Sequence, residues 1–273
     1  MKQKSSKKLL STSLLLVLIA LVSLTAATTA WMTIADSTRL KTMRLDVTSG
    51  ANLRFDLDSH ETFEEYVKSL RLIDIADRIL RDQGYHPREN PLSPVTTTDC
   101  IHFTLENGEP AATESYMEFV LHFMATDDMV VHLTTAGEEG TRIFSDEVSD
   151  IAKAMRISFT ADDSTAVYDP GMEPGSEEGL GGKIFGLARG NRIVYDASNT
   201  LFFLKAGVDK PVTVRIWLEG TDEICTDALR GVPYNIQLRF VGTDENGNLL
   251  EDSRTATRRS AAATPTEERN ENK

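Results

Sequence analysis

Histidine and acidic side chains are the residues of this sequence best suited to binding a metal. His60 and Glu61 begin like the helical zinc motif of metalloproteases, but Glu64 stands where that motif needs its second histidine. Three further histidines lie on or beside predicted strands: His102, His122 and His132. Together they could hold zinc, but such histidines are more often half-buried surface residues, and we favour that interpretation.

Three acidic turns offer the oxygen ligands that calcium prefers. They contain Asp127 with Asp128, Asp162 with Asp163, and Glu219 with Asp222. Aspartates in turns usually accept backbone hydrogen bonds, and we favour that role for all three turns. The sequence contains neither a Gly-x-Ser-x-Gly nucleophile motif nor a phosphate-binding loop. We therefore assign no catalytic, cofactor-binding or metal-binding residue, and calcium or zinc binding stays an open alternative.

The sequence contains only two cysteines, Cys100 and Cys225. Outside the cytoplasm such a pair can form a disulfide, which over so long a loop would add up to about 4–5 kcal/mol on the chain-entropy model. Two cysteines alone do not establish a disulfide framework, so a bridge and two separate thiols both stay open.

The N-terminus has the order of regions found in secretory signal peptides. Lys2, Lys4, Lys7 and Lys8 precede an apolar run over residues 9–24, and small residues follow up to Ala30. We predict a signal peptide over residues 1–30 that is removed after export. The alternative is an uncleaved membrane anchor over residues 9–30, since this run approaches the ~20 residues that span a bilayer.

The net charge of the chain is strongly negative. It is −13 in total, and removing the four lysines of the signal peptide would make it −17. Nucleic-acid binding requires clustered cations that replace the counterions of phosphates, so this charge argues against a nucleic-acid partner. We expect an acidic, secreted protein.

The central element of the chain is the stretch over residues 212–225. Its first half alternates apolar and polar residues, which is the pattern of a strand with one buried face, and its second half is an acidic turn that leads to Cys225. Trp217 lies on the face opposite to Ile216. Either that face is also covered, which we favour, or Trp217 is an exposed anchor.

Several other elements follow from periodicity. Residues 43–47 and 53–57 alternate around a Gly-Asn turn and predict a hairpin. Apolar residues at helical spacing predict a helix over 61–82 that ends at Gly84, and a short helix over about 148–155. Glycine and proline predict a mobile loop over 169–191, and the polar composition of 244–273 predicts a disordered tail.

Many short strands separated by Gly, Pro and Asp turns favour a mainly β, antiparallel sandwich of jelly-roll type. Helical patterns do not alternate with the strands, so a βαβ fold is not expected. The predicted strands include 101–105, 116–124, 129–134, 155–160, 193–195, 201–204, 212–218 and 234–241. One domain over residues 31–243, with one or two inserted helices, would contain them all.

Two regions of the sequence resemble a known group of secreted proteins. The apolar run that leads into Thr29-Ala30-Trp31-Met32-Thr33 resembles the signals processed by the SipW-type peptidase of Gram-positive bacteria. Residues 43–57 resemble the first hairpin of TasA/camelysin-like proteins, and Trp217-Leu218-Glu219-Gly220-Thr221-Asp222-x-x-Cys225 is similar to a segment of clostridial proteins with such signals. The predicted helix over 61–82 has no counterpart in that group.

The resemblance implies a secreted structural protein of the cell surface or biofilm matrix. In that group, subunits join by donating an N-terminal strand to the next sheet. Here the donated piece would be residues 31–47, which begin with Trp31, Met32 and Ile34. The partners would be copies of the chain or other matrix proteins, and a signal peptidase during export. The alternatives are a secreted metal-dependent hydrolase and a membrane-anchored ligand-binding module.

Overall fold

The computed structural model describes residues 40–48, 52–226, 229 and 231–250. Within these residues the chain forms two β-sheets and two short α-helices, α1 (Leu72–Gln83) and α2 (Ile151–Ala154). The first sheet has the order β13 (Thr200–Leu204), β7 (Met129–Leu133), β15 (Tyr234–Thr243), β1 (Leu40–Val47) and β3 (Ser69–Arg71), and β8 (Arg142–Phe144) also pairs with β15.

The second sheet is the larger one. Its order is β11 (Gly175–Gly179), β12 (Gly182–Gly186), β10 (Ser164–Tyr168), β9 (Met155–Ala161), β14 (Lys210–Glu219), β4 (Pro94–Thr97) and β5 (Phe103–Thr104). On the same side of β14 as β4, β6 (Met117–Ala125) pairs with β14, and β2 (Leu53–Asp56) pairs with β6. Most described pairs are antiparallel, and the parallel ones are β1 with β15, β10 with β12, and β14 with β4.

The core lies between the two sheets. Phe240 of the first sheet contacts Phe123 and Phe159 of the second, with ring centroids 5.2 and 5.9 Å apart. The inward-facing residues of both sheets join one apolar cluster, as expected when two pleated sheets pack face to face. The mainly β sandwich with few helices, predicted from the sequence, is therefore confirmed.

The predicted hairpin over residues 43–57 is wrong. Both strands exist, but β1 pairs with β15 and β3 in the first sheet, whereas β2 pairs with β6 in the second. The alternation of apolar residues reports which face of a strand is buried and carries no information about its neighbour. Strands β1 and β2 therefore belong to different sheets.

The predicted helix over 61–82 is correct only in its second half. Residues 63–65 form a single 3₁₀ turn, and the next segment is β3. The helix itself is α1, which buries Leu72, Ile75, Ala76 and Ile79 and ends at Gly84 with a left-handed φ of 80°. Tyr66 and Leu70 are buried as well, but from an extended backbone, so their four-residue spacing imitated a helical stripe.

The predicted loop over 169–191 contains the β11–β12 hairpin instead. Its two turn residues, Leu180 and Gly181, have φ values of 51° and 74°, which is the geometry of the tight turns that suit twisted hairpins. Gly182 then lies against β10, where a Cβ atom would meet the carbonyl oxygen of Thr165 at 2.1 Å. The glycines that suggested mobility are therefore required by a close contact.

Three further boundaries differ from prediction. Residues 193–195 are not a strand, and the predicted helix over 148–155 is reduced to α2 because β9 starts at Met155. Residues 244–250, predicted as part of a disordered tail, form a turn in which the Asp244 carboxylate accepts the N–H groups of Asn246 and Asn248. The rest of that predicted tail lies outside the described residues.

Candidate functional site

Strand β1 is built into the first sheet between two strands that are distant in sequence. It runs parallel to β15 from Leu40 opposite Tyr234 to Val47 opposite Phe240, and antiparallel to β3 on its other side. A parallel neighbour cannot be reached through a hairpin turn, so contacts and not a short connection hold β1 against β15. Its inward side chains join the central core: Leu40, Met43, Leu45 and Val47.

The outward side of β1 is held by charged residues from the segment after β7. Arg44 Nη1 lies 3.1 Å from Glu139 Oε1, and Lys41 Nζ lies 3.2 Å from Asp146 Oδ2. Both pairs are about half exposed, and exposed pairs contribute only about 0.2–1 kcal/mol each. The apolar face therefore determines how firmly β1 is held, and the ion pairs add little.

The N-terminal part of the predicted donated segment lies outside the described residues. This applies to Trp31, Met32 and Ile34, and to the predicted signal peptide over residues 1–30. In the portion of the chain that the structure covers, no helix is long and apolar enough to cross a membrane.

The motif that begins at Trp217 is buried over its first three residues, 217–219. Trp217 is completely buried on the face of β14 opposite to the central core, in a second cluster with Val95, Cys100, Phe103 and Val167. The strands β4 and β5 supply Val95 and Phe103, so they cover this face. The prediction that the face of Trp217 is also covered is therefore confirmed.

Both acidic residues of the motif are occupied by protein donors. Trp217 Nε1 donates to Glu219 Oε2 over 3.0 Å, and Thr221 Oγ1 donates to Glu219 Oε1 over 2.8 Å. Asp222 lies 2.8 Å from Arg156 Nη2, and Asp169 binds the same nitrogen at 3.1 Å. Burial raises the pKa of Asp169, and Arg156 partly opposes this effect.

The backbone of the motif is fixed in the same way. Gly220 N–H donates to the carbonyl of Val95 in β4, and Cys225 N–H donates to the carbonyl of Asp222. The contacts of the whole motif, from Trp217 to Cys225, thus connect β14, β4 and β9. These contacts give the motif a structural role, in strand packing and in a turn.

Of the two arrangements that the sequence left open, the structure contains the one without a disulfide. Both cysteines are described, and they remain separate thiols in different apolar surroundings. Cys100 belongs to the Trp217 cluster, where burial raises the pKa of its thiol to about 11, whereas Cys225 packs at the margin of the central core. Strand β14 separates the two clusters, a spatial relation that sequence spacing could not reveal.

The three strand histidines do not converge. His102 is exposed beside Asp99 and holds the pKa of that carboxyl well below its usual range. His132 is buried, and its ring nitrogens contact Asn199 and Thr243. Burial lowers the pKa of His132. Over the described residues, no group of three or more His, Cys, Asp or Glu side chains is arranged to hold a metal.

A polar cluster that sequence reasoning missed surrounds Asp209, the residue directly before β14. Its carboxylate accepts from Tyr66 Oη at 2.7 Å and from Ser59 Oγ at 3.0 Å, and it lies 2.9 Å from His122 Nδ1. Burial would raise the pKa of Asp209, but these hydrogen bonds outweigh it and lower the pKa. The residues come from three segments that are distant in sequence, so no local signal could have revealed the cluster.

The cluster resembles a nucleophile–base–acid relay in composition but not in connectivity. In such a relay the serine contacts the histidine, whereas Ser59 donates to Asp209 itself. The carboxylate instead ties the segment over residues 59–66 to β6 and β14. Its role is to anchor the 3₁₀ turn and the strand that follows.

No family model, curated protein or solved structure matches this chain. The TasA-like resemblance therefore stays a prediction. The feature with the clearest functional meaning is β1, because it is the first described strand and occupies an interior position in its sheet.

Proposed function

We propose that the protein is a secreted structural subunit of the cell surface or biofilm matrix, and that copies assemble by exchanging the segment over residues 31–47. The observation that carries the proposal is the position of β1 in the first sheet, between β15 and β3. A copy whose β1 is elsewhere would present two unpaired strand edges and a vacant apolar groove. An identical segment from another copy has the side chains and register to fill it.

The chemistry of the exchange is symmetric. A donated β1 would make the same contacts with its new sheet as with its own, so exchange changes the free energy little and concentration determines the outcome. Each copy has one segment to give and one groove to fill. If donation does not close into a ring, repeated head-to-tail contacts produce a linear filament.

The barrier to exchange comes from the buried side of β1. Removing it from its groove exposes Leu40, Met43, Leu45 and Val47, each of which contributes about 1.5–3 kcal/mol when buried. Exchange between folded copies should therefore be slow. Exchange during folding, before the groove is filled, should be fast.

Cysteine pairs placed across β1 and β15 test the exchange directly. Thr42 Oγ1 donates to Asn235 Oδ1 over 2.7 Å, so cysteines at these two positions would face each other. We would make Thr42→Cys and Asn235→Cys as separate chains, both lacking the native cysteines, and refold them together under mild oxidation. The proposal predicts disulfide-linked heterodimers, and far fewer when folded chains are mixed.

The matched control replaces Asn235→Cys with Asn246→Cys, which lies in the exposed turn after β15. That mixture should give no specific heterodimer. A chain that carries both Thr42→Cys and Asn235→Cys should close internally at low concentration. If co-refolded single variants remain unlinked at high concentration while this double variant closes fully, strand exchange is refuted. Export is tested separately, by the N-terminal sequence of the protein recovered from its host's medium.

A further inference from the structure

A cleft opens at the side of the sandwich where the edge of the first sheet meets the second. Its volume is about 620 Å³, which is within the usual range for small-molecule sites. One wall is β13 and the other is formed by β10 and the start of β12. Neither β1 nor the Trp217 motif contributes to it.

One polar group that lines the cleft is the ammonium of Lys183. Its Nζ donates to the carbonyl oxygens of Ala197 and Thr200, at 2.7 and 2.8 Å. An ammonium has three N–H donors, so these two hydrogen bonds leave a third N–H for a ligand. The two carbonyl groups are neutral and do not balance the positive charge of the ammonium. Among the described carboxylates none forms an ion pair with it, and Asp196 and Glu178 act only at longer range. Burial accordingly lowers the pKa of Lys183.

The remaining lining includes both apolar and polar residues, and its rim is mixed in charge. Leu201 and Phe202 are buried, and Phe203, which is 46% exposed, stands at the opening. At the rim, Asp162 is paired with Lys210 at 2.7 Å, while Asp163 and Glu178 also face the cleft. Rim carboxylates repel a doubly charged anion more strongly than a singly charged one.

We propose that this cleft binds a small monocarboxylate with an apolar body. The carboxylate accepts a hydrogen bond from Lys183, and the apolar part contacts Leu201, Phe202 and Phe203. A charge-assisted bond to the ammonium fixes the orientation of the ligand, and the apolar walls supply most of the contact area. The site is separate from the groove of β1, so it adds a ligand to the proposed structural role and does not depend on it.

Calorimetric titration of the purified chain with four probes tests the site. Phenylacetate has both the charge and the apolar body, acetate only the charge, 2-phenylethanol only the body, and phenyl phosphate a second charge. We expect phenylacetate to bind with a Kd of about 1 mM, and the other three to bind roughly tenfold more weakly or not at all. Phenyl phosphate binding as tightly as phenylacetate would refute the preference for a single charge.

Two variants assign the binding to Lys183. Lys183→Met should weaken phenylacetate binding roughly tenfold, because it removes the donor and keeps a similar apolar length. Lys68→Met is the matched control, since Lys68 is an exposed lysine outside the cleft, and it should leave binding unchanged.

If Lys183→Met does not fold, a labelling measurement on the unaltered chain tests whether phenylacetate binds at Lys183. Saturating phenylacetate should slow the acetylation of Lys183 by acetic anhydride about threefold or more and leave Lys68 unaffected. The proposal is overturned if phenylacetate shows no saturable binding up to about 10 mM, or if Lys183 is acetylated equally fast with and without it.

Discussion

The contact between Trp217 and Glu219 should contribute measurably to stability. Glu219 is only 7% exposed and carries a carboxylate that no cation balances within ion-pair distance among the described residues. Its oxygens are satisfied by Trp217 Nε1 and by the hydroxyl and N–H of Thr221. A buried carboxylate that loses a donor retains its desolvation cost, so the indole N–H is expected to matter more than a surface hydrogen bond.

The Trp217→Phe variant isolates this donor. Phenylalanine keeps an aromatic ring near Phe103, whose centroid is 5.4 Å from that of the indole. The lost hydrogen bond to a charged group is worth about 1.5–3 kcal/mol, and the smaller ring leaves a cavity that adds about 1 kcal/mol. We therefore expect the free energy of unfolding to fall by about 2.5–4 kcal/mol.

A double-mutant cycle separates the hydrogen bond from the cavity. Trp217→Phe, Glu219→Ala and the double variant are compared by urea unfolding, followed by far-UV circular dichroism. Because the two residues share one bond, the double variant should be less destabilised than the sum of the single variants, by about 1–2 kcal/mol. Trp217→Phe combined with the distant Asp244→Ala should be additive. A coupling energy below about 0.5 kcal/mol would refute the assigned role of Glu219.

Other positions give shorter tests of the same structure. Gly182→Ala should destabilise the chain by about 1–3 kcal/mol in urea unfolding, because its Cβ would overlap the carbonyl of Thr165; a neutral effect would contradict the close contact. Burial depresses the pKa of His132 below its ordinary 6.5. The stability that the neutral imidazole contributes is therefore fully present above pH 6.5 and is lost as the pH falls from 6.5 through the lower pKa of the folded state. His132→Asn should flatten this part of the curve of unfolding free energy against pH, and an unchanged slope would exclude the residue. Cys100 should resist iodoacetamide at pH 8 until urea unfolds the chain, and rapid labelling of the native protein would contradict its burial.

The sequence predicted the strands with clear alternation well because their signal is local. Period-two alternation over residues 212–218 located β14, and the buried residues Val212, Val214 and Ile216 face the core as that pattern requires. The position of Trp217 on the opposite face also indicated that this side is covered. Each of these inferences needs only the pleat of one strand and the cost of exposing apolar area.

The sequence could not predict how the strands pair. The contact between β1 and β15 joins residues almost two hundred positions apart, and nothing local in either strand specifies the other. The same limit applies to the Asp209 cluster, whose members lie between Ser59 and Asp209 in sequence. The false start of the helix has a different cause, because three- and four-residue spacings also occur by chance in short extended segments.

The two proposed sites occupy different parts of the first sheet, so an experiment can test each of them independently of the other. The cleft lies against β13 at one edge, whereas β1 lies on the far side of β7 and β15. Residues that far apart, without shared partners, usually act additively. Phenylacetate should therefore leave the rate of disulfide formation between the Thr42→Cys and Asn235→Cys chains unchanged. A changed rate would mean that ligand and strand bias one common equilibrium of the sheet, since coupling between two sites requires a state that both ligands distinguish.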